Sequence, residues 1–415
     1  MTYDLRLKTI ILKGLVFLVF LVPLVFSRGT TEVYGLIKWV TLELGVLLLL
    51  IFWMARLART GKVITGRTGW AVLAFFCATA VSALRAANIH EATRALLQMG
   101  AGIGLYFLVV NNVQEKKDSA AITLSLVLAG VVSSLFSLYQ NRGINPGVLR
   151  FAYTSTFGNP IFFAQYLSVC ILLSVAMCLR LSRRKRPIPV VFFALLALLM
   201  LVFLILTRSR GAYFGFGSAF LYSCIALWPR APEKFKKIFS WVAPLCLVIA
   251  VLGFVFLPAL KGWRGERMQV RNLMRVYLWA STMDMVKQHP ILGVGLGNFK
   301  VIYPLYRSSD ERRTTPKGIK YTHPHNDFLL VLAETGLPGL LSFLTILILL
   351  GTGPVSWGLA AAMIALLTQG LFNSVLAVPA SSMAFWLLLG LIETQGRFSR
   401  KKIYSFDENR PCEIK

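Results

Sequence analysis

"YTHPHNDFLLVLAETGLPGLL" fills residues 321–341 and joins a long basic segment to an apolar one. Pro324 suits the first turn of a helix, where its missing N–H costs nothing. His325 is then expected in that same turn, and Asp327 lies near the positive end of the helix dipole, where an acid is favourable. A helix N-terminus disfavours imidazolium, so His325 is expected to be neutral, the state a general base requires. Gly336 can adopt the positive φ that ends a helix, and Pro338 prevents smooth continuation. The stretch reads as a short helix that dips to membrane depth, stops and restarts. Such a break is tolerated where protein or a water-lined cavity satisfies the backbone. A second reading stays open, an interfacial loop whose histidines sit among lipid headgroups.

The apolar side of this junction has many counterparts. The chain has 415 residues, 56% of them hydrophobic, and a mean hydropathy of +0.68. A soluble domain is markedly more polar, and runs of about 20 apolar residues cross a bilayer. The expected fold is therefore an all-α polytopic membrane protein of about twelve transmembrane helices. Their centres are expected near residues 18, 45, 76, 102, 130, 170, 198, 220, 248, 337, 363 and 387. The first apolar run, residues 9–26, has no small-residue cleavage pattern after it and reads as a retained helix. Residues 1–257 hold spans one to nine, 258–325 a long loop with amphipathic helices, 326–396 the last three spans, and 397–415 a tail.

Basic stretches at 6–13, 56–67, 116–117, 180–186, 230–237 and 397–402 all fall on the side of the N-terminus. The positive-inside rule makes that side cytoplasmic, with both termini inside. His90, His289, His323 and His325 then all lie at or near the outer face. The formal net charge is +27. In a soluble protein this would suggest nucleic acid; in a membrane protein it reflects cytoplasmic loops and contact with anionic lipid or substrate, so no nucleic-acid partner is expected. The outer loop 258–325 departs from the rule, with twelve Lys and Arg against four acids. Contact with lipid phosphates is one explanation. An anion site is the other, because arginine's fixed donor fork suits phosphate.

Three further segments carry candidates. In "TRSRGAYFGF" (207–216), Arg208 reads as snorkelling, Gly211 as permitting the turn, and Arg210 as free to point into a cavity between helices. In "RVYLWASTMDMVKQHPILGVGLGNF" (275–299), Arg275, Trp279, Met283 and Val286 recur at helical spacing. Arg271 lies one turn before Arg275 on the same face, so the two arginines can grip one diphosphate. The GxGxG that follows has no strand before it, which excludes a dinucleotide-binding reading. His289 reads as a helix-ending structural residue. In "STFGNPIFFAQYL" (155–167), Asn159 and Gln165 suit either sugar hydroxyls or capping and helix–helix hydrogen bonds. The six cysteines show no zinc or CxxC spacing, so neither disulfides nor a metal is expected.

Taken together these motifs resemble the O-antigen ligase and polymerase superfamily of bacterial envelope glycosyltransferases. The likeness rests on His325-Asn326, nine residues and then Gly336-Leu-Pro-Gly339; on Arg275-x3-Trp279 followed by "HPILGVGLGNF"; and on "SRGA" (209–212) and "FGNPIFFAQYL" (157–167). The resemblance implies inverting, metal-independent glycosyl transfer on the periplasmic face of the bacterial inner membrane, with no cofactor. The implied donor is a glycan on undecaprenyl diphosphate. The implied acceptor is a lipid A–core sugar hydroxyl in a ligase, or the end of another carrier-linked glycan in a polymerase. The family's essential histidine corresponds to His325 and its essential arginines to Arg275 and Arg210. Arg271, Asn326, Asn159 and His323 are expected to bind substrate. A lipid-linked glycan transporter is an alternative of a different class, one that has no need of a base at His325.

Overall fold

The computed structural model describes residues 2–30, 32–142, 153–230, 233, 262–314, 321–353 and 355–407. All regular structure among them is helical. Among the described residues eight α-helices precede the long loop: α1 (Thr2–Leu21), α2 (Leu36–Thr60), α3 (Arg67–Ala83), α4 (Ile89–Asn112), α5 (Lys116–Gln140), α6 (Pro160–Ser182), α7 (Pro187–Leu206) and α8 (Arg210–Leu227). The loop holds α9 (Gly262–Gln288), α10 (Phe299–Tyr306) and α11 (Ser309–Thr314). Then come α12 (Asp327–Gly351), α13 (Trp357–Gly370) and α14 (Pro379–Asp407). Eleven of the twelve expected centres fall inside these helices; the ninth, near residue 248, lies outside the described residues. Among the described residues six helices are long and apolar enough to cross a membrane, and α3 and α13 are shorter apolar helices. The chain is an all-α multi-pass membrane protein.

The helices sort into two ends. At one, Arg56 pairs with Asp4 at 2.7 Å, Thr68 donates to Glu393 at 2.8 Å and the Ser356 N–H donates to Gln395 at 3.0 Å. At the other, Arg94 pairs with Glu32 at 2.8 Å, the Asn88 N–H donates to Asn298 at 2.7 Å and Asp327 accepts from the Val375 N–H at 2.9 Å. The histidines belong to this second end.

Helix α12 is broken at Gly336, where φ is 67° and ψ −167°. The first half therefore ends in carbonyls with no helical partner. The loop after α9 meets them. The N–H of Val294 donates to Ala333 at 2.9 Å and that of Gly295 to Glu334 at 3.1 Å, while the Leu337 N–H donates to Pro290 at 2.9 Å. Ser82 of α3 adds a hydroxyl donor to the Glu334 carbonyl at 2.5 Å. Gly293, Gly295 and Gly297 all have positive φ. A Cβ at any of them would press on the backbone of Ala333 and Glu334, of Ala86, or of Glu91. The glycine-rich run is thus a wedge between the broken helix and the α3–α4 turn.

Gly211 acts differently from the sequence expectation. It lies inside α8. It packs against the Asn373 side chain, where a Cβ would collide. The positive φ of that hairpin belongs to Arg208, at 52°.

Gly336→Ala should be destabilising, because its Cβ would strike the Ile291 carbonyl and its φ is positive. A loss of about 1–3 kcal/mol is expected, seen as a lower midpoint of thermal unfolding in detergent. An unchanged midpoint would mean the break does not depend on glycine.

Candidate active site

The segment 321–326 carries the site across the mouth of the bundle. Helix α12 starts at Asp327, with Asn326 as its N-cap accepting from the Leu329 N–H at 3.0 Å. His325 precedes the cap and has φ 53°. This corrects the expectation that Pro324 and His325 form the first turn: the Asn326 side chain takes the capping role. Asp327 is where expected, but its buried carboxylate accepts from the N–H groups of Val375 and Leu376. It clamps the start of α12 to the turn between α13 and α14.

Helix α9 lies against this segment. The Trp279 indole N–H donates to the Pro324 carbonyl at 2.9 Å, one residue before His325. Arg275 stands one turn earlier on the same face. On α9, Met274, Leu278, Met285 and Val286 are buried and Met283 is exposed, and Trp279 packs at the edge of that buried cluster. Arg271 lies within α9, but its side chain is outside the described residues.

His325 is held neutral. Burial, and then the positive charge of Arg275, pull its pKa down to about 4. Because the helix starts only at Asp327, His325 is not in its first turn, and burial is the first cause of its neutrality. The His323 ring lies 5.0 Å from that of His325, and its Nδ1 shares a 2.7 Å hydrogen bond with the Thr322 hydroxyl. Burial, and then His325, lower its pKa to about 3. Tyr321 stands edge-on to His325 with centroids 6.5 Å apart.

The remaining candidates are spread around this end. Arg210 is the first residue of α8 and is exposed; its neighbour Gly211 packs on Asn373, just before the turn that Asp327 clamps. Asn159 caps α6 by accepting from the Ile161 N–H at 2.8 Å, the capping alternative left open above. Gln165 is fully buried and accepts from the Ser381 hydroxyl at 3.4 Å, a helix–helix contact. His289 follows α9 and shares a 3.2 Å hydrogen bond with the Tyr306 hydroxyl, a structural role. Among the described residues no three His, Cys, Asp or Glu side chains gather into a metal-holding group.

Sequence reading missed the Trp279–Pro324 bond and the Asp327 clamp. It also missed a cavity of about 420 Å³ that reaches His323. The spacing of Trp279 after Arg275 was the only available signal for the first of these.

Residues 195–344 match the O-antigen ligase family. The chain resembles the O-antigen ligase superfamily. A Rickettsia conorii protein described as a candidate polysaccharide ligase is 23% identical over 287 residues, covering 67% of this chain. The match spans 64% of that relative's own length. The segment matching O-antigen ligases contains Arg210, Arg275, His323, His325 and the break at Gly336, and leaves out Asn159.

Trp279→Phe keeps the ring and removes the donor to Pro324. Amide hydrogen exchange of residues 321–326 should rise roughly two- to tenfold, the worth of one hydrogen bond, while that of residues 340–350 stays put. Unchanged exchange at 321–326 would mean that the indole does not hold the segment.

Proposed function

We propose that the protein is a metal-independent, inverting membrane glycosyltransferase of the O-antigen ligase type. It moves a glycan from undecaprenyl diphosphate to a lipid A–core sugar hydroxyl on the periplasmic face of the bacterial inner membrane, with both termini in the cytoplasm. The observation that supports this reading is the Trp279–Pro324 bond, which holds the helix carrying Arg275 against the residue before a buried, neutral His325.

His325 takes the proton of the acceptor hydroxyl as general base. The hydroxyl oxygen forms a bond to the anomeric carbon while the bond to the diphosphate oxygen breaks. A single in-line displacement inverts that carbon. The electron pair leaves with undecaprenyl diphosphate, and the proton on His325 is later lost to solvent. Arg275, with Arg210 and Arg271, stabilises the charge that grows on the leaving group, the work a metal ion does elsewhere. His323 and Asn326 flank the acceptor path.

Binding and chemistry are coupled in this arrangement. Burial, and then Arg275, hold the His325 pKa down, and a bound diphosphate offsets the charge of that arginine. The pKa of His325 then rises, so the base strengthens when the donor is in place.

The test is transfer by purified, reconstituted protein, given carrier-linked oligosaccharide with or without lipid A–core. Product only with lipid A–core, lost in His325→Ala, is the expected outcome. Ladder growth without the core would make the protein a polymerase, and transfer that survives His325→Ala would contradict the base assignment. Arg275→Lys should lose on the order of 10²-fold or more in kcat, because a point charge cannot replace the fork. Strict dependence on a divalent metal would overturn the role given to the arginines.

A further inference from the structure

The cavity that reaches His323 is not used by the donor chemistry above. Its charged lining is balanced: Lys38, Arg94 and Lys300 stand against Glu32, Glu91 and Glu334. Most of these groups are already matched within the protein. Arg94 pairs with Glu32 at 2.8 Å and Lys300 with Glu91 at 2.7 Å. Lys38, 1% exposed, donates to the carbonyls of Pro23 and Val25 at 2.7 and 2.6 Å. Glu334 accepts from the Phe299 N–H at 3.0 Å. A diphosphate placed here would find Arg94 and Lys300 already paired and would face the carboxylates of Glu32 and Glu91. The rest of the wall mixes aromatic side chains, Tyr34, Trp39, Phe162 and Trp386 among them, with neutral polar ones such as Gln98 and Ser382.

Paired charges over aromatic walls suit an uncharged, hydroxyl-rich ligand. The two ion pairs, Arg94–Glu32 and Lys300–Glu91, offer acceptors and donors to hydroxyls, while ring faces cover the C–H face of a sugar. The volume is within the range of small-ligand sites, about 300–1,000 Å³. His323 is part of the cavity lining, and its ring is 5.0 Å from that of His325. Four of its six charged residues come from residues 32–94, outside the segment matching O-antigen ligases.

Resting on the proposed transfer reaction, we infer that this cavity is the acceptor subsite. It binds neutral sugar units of the acceptor glycan on the side of His323 and leaves the Arg275 side to the donor diphosphate. Residues 32–99, through Glu32, Glu91, Arg94 and Gln98, therefore set which acceptor is used.

The test uses the full chain in lipid nanodiscs with two probes, delipidated core oligosaccharide and undecaprenyl diphosphate, and needs no turnover. Gln98→Trp fills the cavity, and Glu91→Gln breaks the pair with Lys300 without changing size. Each variant is first checked by thermal unfolding, so that Glu91→Gln carries the test should the bulky substitution fail to fold. The dissociation constant for core oligosaccharide should rise on the order of tenfold, and that for undecaprenyl diphosphate should stay within about twofold. Oligosaccharide binding that ignores a folded variant overturns the inference, as does its absence in the wild type. Weakened undecaprenyl diphosphate binding would give the cavity to the carrier and also overturn it. The reaction itself fails separately, if His325→Ala still transfers glycan while core oligosaccharide binds as expected.

Discussion

The break at Gly336 places backbone polar groups where a membrane helix would have none to spare. An unmet carbonyl away from water costs several kcal/mol. The structure meets Ala333 and Glu334 with the N–H groups of Val294 and Gly295 and with the Ser82 hydroxyl. That repair fixes the loop after α9 against the bundle, and the three positive-φ glycines let it come close enough. Helix α9 is then held over the start of α12, so Trp279 reaches Pro324 and Arg275 lies within electrostatic reach of His325. The geometry of the site follows from the repair of a helix end.

The two sides of the 321–326 segment differ in charge. Toward α9 stands Arg275, with enough field to act on His325. Toward α2 and α4 the acids and bases cancel within a partly aromatic cavity. The transfer we propose would use these two opposite environments, one for a leaving diphosphate and one for an incoming sugar hydroxyl. Asp327 contributes from below by tying α12 to the Val375–Leu376 backbone, which keeps the segment in register with the ends of α13 and α14.

The span pattern was legible because apolar runs of bilayer length are a local property, and so was the stop at Gly336-Leu-Pro. The start of α12 was not. "HPHND" holds two competing signals, a proline suited to a first turn and an asparagine suited to a cap, and only the fold shows that Asn326 wins. The role of "GVGLG" was hidden because its partner, the end of a half-helix, lies some forty residues later. Gly211 looked like a turn residue because its real constraint, Asn373, is distant in sequence. Glu32, Glu91, Arg94 and Lys300 lie scattered over nearly 270 residues and read as ordinary rim charges until folding pairs them. The same holds for Asn159, whose cap geometry needs coordinates.

The coupling between Arg275 and His325 is tested most directly by titrating His325 with isotope-labelled histidine NMR, in the wild type and in Arg275→Ala. His325 should stay neutral down to near its pKa of about 4 in the wild type. Its pKa should move up in the variant yet stay below the ordinary value of about 6.5, because burial is the larger cause. A wild-type His325 that titrates near 6.5, or a pKa that ignores the loss of Arg275, would contradict a shared site.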